Sequence, residues 1–165
     1  MAELTNLETK LGEVLGLAMA AQVALDKVIR LSEQEGSGLV SELQRTKREA
    51  EETEQRCLRL VETFDGKKTA IKDEASDVKS KGATMLKTYL DESADALDGF
   101  EFLTMAEAAE VGHWSVLEEM SRNAGVSAID ELVAWALPTQ QQHFERALAG
   151  TKKLPSEEDP NEASG

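Results

Sequence analysis

This chain has two histidines. Each follows a hydrogen-bonding side chain by three residues, giving Glu110-x-x-His113 and Gln140-x-x-His143. Residues at i and i+3 of a helix are neighbours on one face, so each pair can aim two polar groups at one point. A carboxylate and an imidazole placed this way suit iron(II), manganese or zinc. The same groups can instead hydrogen-bond one another inside a core and fix helix register. Gln22 and the stretch Glu52–Glu54 are further polar groups near the middle of apolar segments. A buried polar group left unpaired costs about 1–3 kcal/mol, so these side chains must hold each other, a metal ion or water.

The elements that would position them are helices. Leu103, Ala106, Glu110, His113, Leu117 and Met120 alternate at three and four residues. That spacing predicts a helix over about 99–123 with Glu110 and His113 on its inward face. Leu4, Leu7, Leu11, Val14, Ala18, Ala21, Leu25 and Val28 predict a first helix over about 4–33, with Thr5 or Asn6 as its cap. Gly36-Ser37-Gly38 turns the chain. A second helix over about 39–64 follows, with the stripe Leu43, Ala50, Cys57, Val61 and Phe64. The charged run KREAEETEQR lies on it and must mostly face water, though one of residues 52–54 should reach the core edge.

The segment 69–98 is weakly apolar, and Gly82 separates its two short stripes. It reads as two short helices crossing the outside of a bundle, a connection long enough to let the next helix run parallel to the second. The last helix starts near Ser127, a candidate cap, and carries Ile129, Val133, Ala136, Gln140, His143 and Ala147. Pro138 should kink or restart it, which could turn His143 off the core. The tail from Thr151, TKKLPSEEDPNEASG, is acidic with two prolines and is expected to be disordered. The organisation is thus one all-α four-helix domain over 1–150 and a tail over 151–165.

Composition narrows the function classes. Eighteen Lys and Arg against 32 Asp and Glu give a formal charge of -14. This argues against nucleic acid and against anionic membrane surfaces. The single cysteine excludes an internal disulfide, and Cys57 reads as a small buried residue. No apolar run is long enough to span a bilayer, and MAELTNLETK lacks a basic-then-apolar leader pattern, so the expected location is cytoplasmic. Nothing matches a phosphate-binding glycine loop or a nucleophile–base arrangement. Trp114 and Trp135 read as packing residues.

With midpoints at one height in an antiparallel bundle, the polar groups would form one central layer. EETEQRCLRLVETF and AEAAEVGHW then resemble motifs of the ferritin-like proteins of the YciE/YciF type. The first is similar to that family's Glu-Glu-Thr, histidine and Arg-Leu pattern. The second is similar to its Glu-His pair followed by a second Glu. The resemblance implies a ferritin-like four-helix bundle with a long helical crossover, usually dimeric, whose carboxylates and histidines can hold two iron or manganese ions. It also implies an association with stress responses. Glu52, Glu107 and Glu110 match. The family's other ligand positions carry Gln22, Glu49, Arg56, Ala108, Thr139 and Gln140.

Three functions follow as expectations. One is a degenerate bundle without catalysis, in which Glu110, His113, Gln140 and His143 form a hydrogen-bonded network. Another is a residual iron or manganese site built from Glu52, Glu107, Glu110, His113 and His143, with oxidoreductase or metal-handling activity. The third is a helical interaction module. Arg56, if it points inward, would put a cation in the metal's place and pair with Glu52 or Glu110; pointing outward, it is an ordinary solvated side chain.

Overall fold

The computed structural model describes residues 2–163, and among these there are five helices and no strand. Helix α1 is Asn6–Glu35, α2 Val40–Val61, α3 Lys68–Tyr89, α4 Ala96–Ala124 and α5 Ser127–Ser156. Local chemistry sets several of these limits. Thr5 caps α1 in a reciprocal box: its hydroxyl accepts from the Glu8 N–H at 3.2 Å, and its own N–H donates to Glu8 Oε2 at 2.7 Å. Asp95 and Asp98 do the same for α4. Gly36 and Gly125 end α1 and α4 at φ 64° and 68°, left-handed values that a Cβ would strain. Ser127 is the first residue of α5, and the cap position falls to Val126, which makes no side-chain capping bond.

Cross-helix pairs fix the directions. Gln22 meets Glu54 and Asp26 meets Lys47, so α1 and α2 are antiparallel. Glu13 meets His113 and Glu35 meets the Ala96 N–H, so α1 and α4 are antiparallel. Ser121 bonds Asp130 and Thr104 bonds Thr151, so α4 and α5 are antiparallel. On the remaining side Glu49 meets Arg146, and Arg56 lies 4.1 Å over the Trp135 ring, joining α2 to α5. Packing runs round these four helices in the order α1, α2, α5, α4.

Helix α3 lies against α1 and is continuous through Gly82, not two short helices. The reason is a close backbone approach. A Cβ at Gly16 would stand 2.4 Å from the Ala75 carbonyl oxygen, and one at Gly82 would stand 2.7 Å from the Ala20 Cβ. Gly82 is therefore a contact surface for α1, and its helix-propensity cost is offset by packing. Helix α5 also departs from expectation, passing unbroken through Pro138 and on to Ser156. Ala147, Gly150, Thr151 and Leu154 continue one helical face, with Leu154 packed on the core and the Thr151 hydroxyl donating to the Ala147 carbonyl at 3.0 Å. The tail read as disordered from Thr151 is thus helical for its first part; its last residues, Ser164 and Gly165, lie outside the described residues.

The apolar core is split in two. One cluster gathers Leu11, Leu15, Val61, Ile71, Trp114 and Ile129. The other gathers Leu25, Val28, Leu43, Phe100, Leu103 and Ala147. On α4 the buried positions between them are Glu107 and Glu110, and on α5 they are Gln140 and His143. Cys57 is fully buried in the first cluster, and burial, with the charge of Glu54, pushes its thiol up to about 12. No described helix is long and apolar enough to cross a membrane.

Candidate functional site: the central polar layer

Four side chains carry the layer. Glu107 is 1% exposed, His143 2%, and Glu110 and Gln140 4% each. Helix α4 brings Glu107 inward because Leu103, Glu107, Glu110, Trp114, Leu117 and Ser121 form its buried stripe. The expected stripe had Ala106, His113 and Met120 in place of Glu107, Trp114 and Ser121. Helix α5 brings in Gln140 and His143 with Ala136 and Ala147 above and below, and Pro138 does not turn them away.

A chain of contacts crosses from α4 to α2. The Gln140 amide donates to Glu107 Oε2. His143 Nδ1 lies 3.7 Å from that same oxygen, and His143 Nε2 lies 3.1 Å from Glu49 Oε2. Arg146 then grips Glu49 with both terminal nitrogens, at 2.6 and 3.3 Å, and donates to the Thr46 hydroxyl at 3.3 Å. Arg45 adds a bond to Glu49 at 3.0 Å. Burial by itself would raise the Glu49 carboxyl. The hydrogen bonds from Arg146 and Arg45, with the charges of Arg146 and His143, outweigh it and hold Glu49 below its ordinary 4.5.

Glu110 has a different environment. No hydrogen bond reaches its carboxyl among the described residues, and burial together with the Glu107 charge pushes it well above 4.5. One turn further on, Trp114 Nε1 is buried without a hydrogen-bond partner.

Of the residues read from the sequence as metal ligands, Glu107, Glu110 and His143 fall in this layer. Glu52 does not: its side chain is 45% exposed and pairs with Arg56 and Arg59 on the outer face of α2. His113 sits at the α1–α4 edge, 39% exposed, with Nδ1 3.2 Å from Glu13 and 3.4 Å from Lys10. The set Glu52, Glu107, Glu110, His113 and His143 therefore does not converge. Among the described residues no group of three or more His, Cys, Asp or Glu is placed to hold a metal ion. The chemistry of the donors agrees, since both nitrogens of His143 already face carboxylates and an amide nitrogen occupies one side of Glu107.

Gln22 finds its partner in Glu54 at 2.5 Å, so Glu54 is the residue of 52–54 that meets another helix as a polar group, while Thr53 is buried. Arg56 points outward, onto Glu52 and the Trp135 ring. The cation that reaches the layer is Arg146. Sequence reasoning passed over it, although it lies three residues after His143 and so shares that face of α5. Glu49, its partner, stands in the sequence only as the occupant of one of the family's ligand positions.

No protein-family model matches the sequence, and no curated protein or solved structure matches it.

Proposed function

We propose that this chain is a ferritin-like four-helix bundle, formed by α1, α2, α4 and α5 with α3 in the crossover, and that the α5 side of its central layer is closed by its own side chains. On this reading the protein is a non-catalytic helical scaffold. The ring of antiparallel contacts and the helix between α2 and α4 support the bundle. One observation carries the rest. Arg146 grips Glu49, and His143 lies between Glu49 and Glu107. A guanidinium thus supplies the positive charge that clustered carboxylates require, and the network fixes which turn of α5 faces which turn of α2 and α4. A stress-related role and a homodimer rest on the family resemblance.

Metal loading tests this reading. Protein purified without a histidine tag is loaded anaerobically with iron(II) or manganese(II), then assayed by plasma mass spectrometry and thermal melting. The expected result is no retained stoichiometric metal and an unchanged melting curve. One or two ions per chain, lost in His143→Ala, would replace the scaffold reading with an iron- or manganese-binding protein having oxidoreductase or metal-handling activity.

A further inference from the structure

A second feature lies on the opposite side of α4. A groove of about 190 Å³ runs between α1, α3 and α4. Its walls are mostly apolar, with Leu17 and Ala24 from α1, Met85 from α3, and Phe102 and Ala106 from α4; His113, whose Nδ1 faces Glu13 and Lys10, also lines it. The small side chains of α1 and α4 leave the space, and Met85, about half exposed, stands at its rim. A cavity somewhat smaller than this holds a benzene-sized molecule. Glu110 lines the same groove, buried and without a hydrogen-bond partner.

An apolar groove with one unpaired carboxyl in its wall is chemically specific. The apolar walls favour a hydrocarbon body. The carboxyl takes no donor from the described residues, and its oxygens open on the groove rather than being sealed in the core. A head carrying several N–H donors and a positive charge would satisfy it, and the nearby Glu107 charge adds to the attraction. The chain's formal charge of -14 draws cations and repels anions. We propose that the α1–α3–α4 groove is a binding site for a small primary amine with an apolar body, its ammonium group held by Glu110. The proposal stands apart from the closed network on α5, because none of Glu49, Gln140, His143 and Arg146 lines the groove.

The test uses hexylamine as the probe, with hexanol and hexanoate as matched controls, in titration calorimetry on the full chain. Hexylamine is expected to bind at about 1 mM or tighter, with both controls weaker by about tenfold or more. Glu110→Gln keeps the shape and removes the acid, so that no carboxylate can form against the ammonium, and should weaken hexylamine about tenfold. Ala106→Leu fills the groove and keeps the carboxyl, and should abolish binding. Thermal melts of both variants establish that they fold. Labelled methionine methyl groups report the place, with Met85 expected to shift most. Absence of hexylamine binding, equal binding of hexanol or hexanoate, or full affinity in folded Glu110→Gln would each overturn the proposal. So would binding lost as protein concentration rises, since a second copy would then be filling the groove.

Discussion

Glu107 and Glu110 stand one turn apart on α4, and both are almost wholly removed from water. Glu107 looks toward α5, where Gln140 donates to it and His143 lies within ion-pair distance. Glu110 lines a groove shared with α1 and α3, whose side chains there are Leu17, three alanines, Gly82 and Met85. The same residue type on the same helix is thus part of a satisfied network on one side and an isolated acid on the other. Burial is not what separates them. The difference lies in the donors that the facing helix supplies, and it decides whether a buried carboxylate adds to stability or subtracts from it.

The largest expected effect comes from making one substitution at both sites. Leucine has about the volume of glutamate without its polar atoms. Glu107→Leu strands the Gln140 amide and one face of His143, and should cost about 3 kcal/mol in urea unfolding. Glu110→Leu removes a carboxyl that has no partner to strand, and should add about 1 kcal/mol. Opposite signs sustain the comparison; losses of equal size would break it, because Glu110 would then be making bonds of its own.

Arg146→Met comes next. It keeps the apolar stem of the side chain and removes the cation, leaving Glu49 with Arg45 and His143. Because the Arg146 side chain is still 16% exposed, solvent moderates the loss, and about 2 kcal/mol is expected from the unfolding midpoint. A loss near zero would mean that His143 and Arg45 hold Glu49 unaided.

Titration sharpens the same contrast. The Glu110 carboxyl is raised in the folded state, so between 4.5 and its folded value the native protein binds more protons than the unfolded chain. The stability it contributes is fully present below 4.5 and is lost as pH rises through the folded value. The Glu49 carboxyl is lowered, so its contribution is present above 4.5 and lost as pH falls through its folded value. Stability of the wild type minus that of Glu110→Gln should therefore fall as pH rises above 4.5. The corresponding difference for Glu49→Gln should fall on acidification below 4.5. A flat difference curve for Glu110→Gln would show that its acid is not raised.

Much of the architecture was legible because helix periodicity and caps are local. Thr5, one of the two expected caps, and Gly36 act where the sequence placed them. What failed was phase and contact. On α4, the stripes through Ala106 and His113 or through Glu107 and Trp114 share Leu103, Glu110 and Leu117, and both fit on one broad apolar face. The neighbours decide between them: α5 faces Glu107 and Ser121, while the α1 edge takes His113. The volume of Trp114, which fills the core where His113 was expected, was the available signal. Gly12 and Gly16 gave no periodic signal, because their role is to let α3 approach α1, and only the fold reveals that. Leu154 fell in a segment judged on its charges and prolines, although it sits seven residues after Ala147 and so on the same face.

The smallest expected effects belong to the two residues that looked most like ligands and lie at the edge. His113→Ala leaves Lys10 and Glu13 paired with each other, and water reaches the space the ring vacates. Glu52→Ala breaks contacts with Arg56 and Arg59 that are themselves solvated. Each should change stability by about 0.5 kcal/mol or less, because exposed ion pairs gain little over their separately hydrated partners. His143→Ala, by contrast, empties a site between two carboxylates and should cost about 3 kcal/mol. The two histidines are therefore a paired control, identical in type and each three residues beyond a polar side chain. If His113→Ala costs as much as His143→Ala, the edge is as closed to water as the centre, and position relative to the donors of α5 no longer explains the difference between the two sides of α4.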